Sequence, residues 1–487
     1  MVFSESDVGS RNQPYNRENV LISDYIETLV KKVERIPYDK NSVPQEQLDL
    51  TDKVRTSLFP WRGQFSPELV EMLLSRYARD GYTIFDPFVG SGTTLFEAAR
   101  KGFRCYGADI NPSAIEMART AELTSLSLQQ RRAAMQDVKK LILRYCRPTT
   151  WDLFSYLDYQ SEAIQERENH QEFLFNDLIR EVADQPIIHN LLVNIIMRYM
   201  NYKTPHIETD LMRAWHEHSA IVESIPYSNK EYSNKECRVF HCDAHSIPLA
   251  ANSINLIITS PPYINVFNYH QNNRPAMEIL GWDLLDVAKS EIGSNRKHRS
   301  NRFLTVIQYA LDMLDALKEM RRLLCSDGKA IIIVGRESSV RGVKLRNSFL
   351  VASLASGGAG FHLDTIQERK FISKFGETIY EDILHISPTA STSIADNTFA
   401  RSLAVWNLQQ ASENIEGQVK DETNHAISSS HNVNKSPLFN APTVLYTRKE
   451  APSVEKEKTT VIKYPTPHIE KLKAILESEK LPPHDIE

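Results

Sequence analysis

The chain has 487 residues, 41% of them hydrophobic and 24% charged, which suits a globular protein with room for more than one domain. Its formal net charge of −5 excludes a general polycation, so a polyanionic partner has to be met by a local basic patch. The opening stretch MVFSESDVGSRNQPYNRENV lacks an apolar core, and no later segment approaches eighteen uninterrupted apolar residues; the expectation is no signal peptide, no membrane span and a cytoplasmic location.

Residues 1–60 read as a leader whose best helical pattern is VLISDYIETLVKKVERI. A helix follows in FSPELVEMLLSRYA, with Ser66 as N-cap, Pro67 at its first position and Leu69, Met72 and Leu73 on one face. Residues 61–120 then alternate: YTIFD as strand, a glycine turn, TTLFEAARKG as helix and RCYGADI as strand, a βαβ unit. From 121 to 236 the pattern is helical, with LQQRRAAMQDVKKLILRYC and IIHNLLVNIIMRYMN its clearest segments, and we read it as an insertion. Alternation resumes over 237–390 through CRVFHCDA, NSINLIITSPPY, the helix FLTVIQYALDMLDALKEMRRLL, the strand KAIIIVG and the pair FHLDTIQERKF and TIYEDILHIS. The expected fold is therefore α/β, a doubly wound, Rossmann-like sheet with helices on both faces. Residues 391–487 are rich in Ser, Thr and Asn and predict a flexible tail with a short closing helix, HIEKLKAILESEK.

Phe88-Val89-Gly90-Ser91-Gly92 lies between strand and helix, where glycine permits close approach of a ligand and a helix starting near Thr93 offers N–H groups and its dipole. Asp109, ending the next strand, can accept hydrogen bonds from both hydroxyls of a ribose. Asp86, just before the turn, is placed for an amine or a ribose edge, and Asp243 in HCDAHSIPL for the exocyclic amine of an adenine ring. Together Asp109 and Asp86 describe a nucleoside cofactor with a cationic or amino-bearing tail; a dinucleotide would prefer the fuller G-x-G-x-x-G turn and a nucleotide triphosphate a lysine after the glycines, where two threonines stand here. His241, Cys242 and His245 give no complete four-ligand set, so no metal is expected. The five cysteines, Cys105, Cys146, Cys237, Cys242 and Cys325, are scattered and odd in number, which predicts reduced thiols.

The apolar run LIIT ends abruptly at Ser260-Pro261-Pro262-Tyr263, at the carboxyl edge where open α/β sheets build their sites. The prolines stiffen the turn; the Ser260 hydroxyl and the Pro261 carbonyl can both accept from a planar NH2 group, and Tyr263 offers an aromatic face to the base that bears it. Beyond the turn, Asn268, Tyr269 and Asn272 are candidates to touch that base or its partner. Further on, GSNRKHRSNR concentrates Arg296, Lys297, Arg299 and Arg302, and Arg336, Arg341, Lys344 and Arg346 follow.

With these motifs the chain resembles the S-adenosylmethionine-dependent DNA amino-methyltransferases: DPFVGSGTT is similar to that family's cofactor motif, GADINP to its ribose-binding acid, FSPEL to the helix over the methionine end, and TSPPY to its catalytic motif. The resemblance spans about 60–120 and 237–390 and implies a class I methyltransferase sheet, with S-adenosylmethionine held by Phe65, Asp86, Phe88, Gly90, Ser91, Gly92, Thr93, Asp109, Ile110, Asp243 and Ala244. It implies catalysis by Ser260, Pro261, Pro262 and Tyr263 on a base flipped out of double-stranded DNA, with Arg296, Lys297, Arg299 and Arg302 tracking phosphates. In this family a serine before the two prolines is associated with N4 of cytosine and aspartate or asparagine more commonly with N6 of adenine; a separate restriction endonuclease partner is implied by association. Adenine N6, an RNA base and a non-catalytic nucleic-acid-binding subunit stand as alternatives. A C5-cytosine reaction needs a thiolate, typically after proline, and none of the five cysteines follows one. The chain departs from many N4-cytosine enzymes in placing the cofactor motif first, so the insertion is the first candidate for target recognition, with Arg131, Arg132, Lys139, Lys140, Arg144 and Arg147 along one helix; the tail is the second.

Overall fold

A computed structural model describes residues 13–50, 55–61, 63–64, 66–146, 174–202, 207–225, 236–264, 268–293, 298–372, 376–390, 395–440, 444–445 and 461–462. The chain divides into two compact units, Met1–Arg131 with Ala220–Asn272 and Leu284–Asn440, and Arg132–Ser219 with Asn273–Asp283 and Ala441–Glu487.

The first unit is built on a seven-stranded sheet. Its strands are β1 (Thr83–Asp86), β2 (Arg104–Asp109), β3 (Cys237–His241), β4 (Ile254–Thr259), β5 (Leu324–Gly335), β8 (Phe361–Ile372) and β9 (Thr378–Pro388), in the order β3-β2-β1-β4-β5-β9-β8; a separate hairpin holds β6 (Glu337–Val340) and β7 (Val343–Arg346). β3, β2, β1, β4 and β5 are parallel, and β9 runs antiparallel to β5 and β8. Central strands are covered on both faces, which is why β1 and β4 read as near-continuous apolar runs rather than alternating ones. The doubly wound sheet expected from the alternation is present.

Helices supply the covering layers. Pro67–Tyr77 starts at Ser66 with proline in its first turn and buries Leu69, Val70, Leu73 and Leu74. Leu304–Leu323 joins β4 to β5 and buries apolar residues around most of its circumference, as a helix packed between neighbours must. Asn347–Gly358 and Asn397–Ala411 pack beside it. The latter corrects the expectation of a flexible tail from residue 391. Asp396 caps that helix by accepting from the N–H groups of Thr398 and Phe399, and Phe399, Ala400, Leu403, Ala404 and Leu408 are buried. Burying each large side chain contributes about 1.5–3 kcal/mol, enough to hold a polar-looking segment in place. A second helix follows at Gln418–Ser428, and HIEKLKAILESEK lies outside the described residues.

The described parts of the second unit are the helices 174–181, Pro186–Tyr199 and Arg274–Ile279, the greater part of Leu128–Cys146 and Ile207–Ser224, and an antiparallel pair of short strands, β10 (Val444–Leu445) and β11 (Val461–Ile462). Phe175 meets Tyr199 edge to face, and the Trp215 indole donates to the Met135 carbonyl at 2.7 Å. Among the described residues no helix is long and apolar enough to cross a membrane.

The basic row expected along the insertion is partly consumed by the fold. Arg131 is 1% exposed and donates to the carbonyls of Leu123, Leu126 and Ile225, so it is unable to reach a phosphate. Lys139 lies over the Trp215 ring, Lys140 pairs with Asp137 and Arg144 with Glu181; Arg147 lies outside the described residues.

Candidate active site

β1 lies between β2 and β4, so chain connections leave its carboxyl end in opposite directions and open a crevice there. An open-sided cavity occupies the place. The turn after β1 lines it with Phe88, Gly90, Ser91 and Thr93, β2 with Asp109 and Ile110, β3 with Asp243 and Ala244, and β4 with Ser260 and Pro262. The glycine turn and the proline turn, about 170 residues apart in sequence, thus share one cavity.

The glycines of the turn do different work. Gly90 has φ +48°, and a Cβ on it would come within 3.0 Å of the Trp61 indole nitrogen. Gly92 has φ +91° and caps helix Thr93–Arg100; a Cβ there would lie 2.9 Å from the Ala118 Cα. Gly90 lines the cavity, whereas Gly92, expected as a cofactor contact, is outside the lining and serves helix packing.

The aspartates also separate. Asp109 accepts from Gly90 N–H at 3.1 Å and Asn111 N–H at 2.8 Å, one on each oxygen, which leaves further lone pairs toward the cavity it lines. Burial raises its carboxyl to about 7, against the lowering effect of those two N–H groups, and Asp86 and Glu291 add to the rise. Asp86 is fully enclosed and outside the cavity lining. It accepts from the hydroxyls of Thr259 at 2.6 Å and Thr94 at 2.7 Å and from Phe88 N–H at 3.0 Å, so the expected contact with an amine or ribose is replaced by a structural one that ties β1 to β4.

Asp243 lines the cavity but is already well engaged. His245 approaches through its backbone N–H at 3.0 Å and its ring Nδ1 at 2.5 Å, and Phe439 N–H donates at 2.8 Å. Burial would raise Asp243, but His245 outweighs it and holds the carboxyl below its usual range; His245 in turn is lifted against its own burial to about 9. The His241 ring is 3.0 Å from the Ile110 carbonyl.

Ser260 and Pro262 face the cavity, while Pro261 is buried. Tyr263 is outside the cavity lining. Its ring lies against Gly335, where a Cβ would come within 3.2 Å, and its hydroxyl donates to Glu381 at 3.2 Å, which Arg369 pairs at 2.7 Å. Burial and the Glu381 charge hold the phenol far above its usual range, so it stays protonated. Phe65, Arg296 and Lys297 lie outside the described residues; Arg299 and Arg302 are exposed ahead of helix Leu304–Leu323. The other expected cations are taken by ion pairs: Arg336 with Glu368 and Asp382, Arg341 with Glu422, Lys344 with Glu337 and Arg346 with Glu34.

Several lining residues escaped the sequence reading. Trp61 stacks on Tyr269, with ring centroids 6.3 Å apart and planes 16° from parallel, and Gln64 accepts from the Ser91 hydroxyl. Asn111 caps its helix by accepting from Ser113 N–H and donates to the Tyr269 carbonyl at 2.9 Å. An N-cap signal was legible in Asn111-Pro112; Trp61 and Glu291 carried none, because only the folded chain brings them to the cavity.

The N6/N4-type DNA methylase family matches residues 11–120, the segment that holds the glycine turn and Asp109. The Type II methyltransferase M.MjaII of Methanocaldococcus jannaschii is 23% identical over 399 positions, covering 60% of this chain and 74% of that protein. Over these residues the chain is similar to the amino-methylating DNA methylases. A S-adenosylmethionine-dependent methyltransferase from Methanosarcina mazei superposes with a TM-score of 0.30 at 11% identity over 66% of this chain and 98% of its own, and the rRNA methyltransferase aviRa from Streptomyces viridochromogenes with 0.26 at 13% over 68% and 88%. Superpositions at this level add nothing to the fold read from the strand order.

The lining of the cavity suits S-adenosylmethionine. Asp109, Asp243 and Glu291 line the cavity and, among the described residues, no lysine or arginine does, which favours a ligand bearing a sulfonium and an ammonium. Asp109 holds free acceptor capacity for a ribose diol, and Ile110 and Phe88 provide apolar walls for a flat ring.

Proposed function

We propose that the chain is a site-specific methyltransferase that carries the methyl group of S-adenosylmethionine to the exocyclic N4 amine of cytosine in duplex DNA, as the modification partner of a separately encoded restriction endonuclease. The observation that supports this reading is the shared cavity: Asp109 and the glycine turn line it together with Ser260 and Pro262. The Type II designation of M.MjaII favours the restriction setting, and the serine ahead of the two prolines favours cytosine.

S-adenosylmethionine supplies an electrophilic methyl group on sulfur. The amine of cytosine is a poor nucleophile because its lone pair is delocalised into the ring. By accepting hydrogen bonds from that NH2 group, the Ser260 hydroxyl and the Pro261 carbonyl draw the nitrogen toward tetrahedral geometry and aim its lone pair along the cavity. The nitrogen forms its bond to carbon as the carbon–sulfur bond breaks and the electron pair returns to sulfur; the proton then leaves to solvent. Ser260 acts as an acceptor, without serving as a strong base. The amine is paired inside a duplex, so the base is flipped out, with Tyr263 at the turn held by Glu381 as its neighbour.

The test is transfer of labelled methyl groups to unmethylated bacterial DNA, followed by mass spectrometry of the nucleosides. N4-methylcytosine is expected, reduced roughly a hundredfold by Ser260→Ala and by Asp109→Ala through loss of cofactor binding. N6-methyladenine would keep the cavity assignment and replace the base, and absence of any DNA product would overturn the proposal.

A further inference from the structure

We propose that Glu291 is the carboxylate that faces the sulfonium, so that the cavity holds the charged methyl donor more tightly than the neutral thioether left after transfer. The inference rests on the cofactor reading above and adds to it a residue and a specificity. Glu291 lines the cavity but is only 6% exposed, and its two oxygens are fixed by one neighbour: His270 donates its backbone N–H at 2.5 Å and sets its ring Nδ1 at 2.8 Å. His270 is itself 2% exposed, so the carboxylate is held and has no path to swing out into water.

Glu291 shares the lining of one cavity with Asp109 and Ser260, the two working ends. Its partner His270 follows Tyr269, whose carbonyl accepts from Asn111, the residue next but one to Asp109. Gly293, two residues after Glu291, is packed so closely that a Cβ on it would lie 3.0 Å from the Tyr263 carbonyl oxygen. A sulfonium that joins a ribose at Asp109 to an amine at Ser260 lies in the cavity that Glu291 also lines.

The charges point the same way. Asp243 already has a cationic partner in His245, and Asp109 is placed for ribose hydroxyls. Glu291 is held by His270, carries no lysine or arginine pair among the described residues, and lines the same cavity as Asp109. Two neighbouring carboxylates in an enclosed site are mutually unfavourable unless a cation joins them. The methionine ammonium is common to donor and product, so a preference between the two reports the sulfonium alone.

Equilibrium binding of S-adenosylmethionine and S-adenosylhomocysteine to the full chain tests this, with Glu291→Gln and Glu291→Asp as variants. The wild type is expected to favour the sulfonium by about tenfold or more, and Glu291→Gln to lose most of that preference while its thioether affinity moves less than about twofold. Glu291→Asp, which keeps the charge, is expected to restore the preference. A ratio unchanged in Glu291→Gln, including equal loss of both ligands, overturns the role of Glu291 and leaves it as a brace for His270. Failure of the wild type to bind either ligand overturns the cofactor reading itself, a result distinct from an unchanged ratio.

Discussion

Asp86 and Asp109 both end strands beside the glycine turn, and their surroundings give them opposite work. Two threonine hydroxyls and an N–H saturate Asp86, one of them from Thr259, 173 residues away, whereas Asp109 keeps capacity toward the cavity. The Asp109 carboxyl is raised by burial to about 7, so a ligand that needs its ionised form competes with a proton. Above pH 7 the carboxylate is present and binding is full; below it, protonation takes the acceptor away. Cofactor affinity measured by calorimetry is therefore expected to weaken by up to about tenfold per pH unit below 7 and to level off above it. Asp109→Asn is expected to bind weakly with that slope removed; a slope retained in the variant would assign it to another group.

At the scale of elements, the helix Asn397–Ala411 shows how a segment is misread. Its polar composition suggested a tail, yet Phe399, Ala400, Leu403, Ala404 and Leu408 repeat at helical spacing and all face inward. Phe399 sits against Gly357 and Gly358, whose lack of side chains makes room for its ring. Further along, Phe439 N–H reaches Asp243 and Ser436 binds Asp312. Truncation after residue 390 strips these contacts. Its expected effect is a melting midpoint lowered by more than about 10 °C, or insoluble protein, read by calorimetry or solubility; an unchanged midpoint would show that the helix adds nothing to stability. Elements with strong periodicity were legible: Leu304–Leu323 and Leu128–Cys146 fall within a residue of their apolar patterns.

For the whole molecule, a net charge of −5 means that the proposed DNA partner is attracted only locally. Of the cations singled out beyond the catalytic turn, Arg336, Arg341, Lys344 and Arg346 are spent on ion pairs, and Arg299 and Arg302 are exposed. If these two contact phosphates, replacing both with alanine flattens the slope of log affinity against log salt by about 1.8 and weakens binding alike on specific and unrelated duplexes. A slope equal to that of the wild type would remove them from the interface.

The chain by itself determined the strand and helix alternation, the glycine and proline turns at strand ends, and Asp109 and Ser260 as members of a site, because these depend on local pattern and on residues adjacent in sequence. Tertiary structure alone decided that the two turns share a cavity, that Asp86 is a strut, that Arg131 is buried, and that Trp61 and Glu291 line the site. Each of those outcomes depends on a partner tens or hundreds of residues away. The order of the strands sets such distances, and local periodicity carries no record of them.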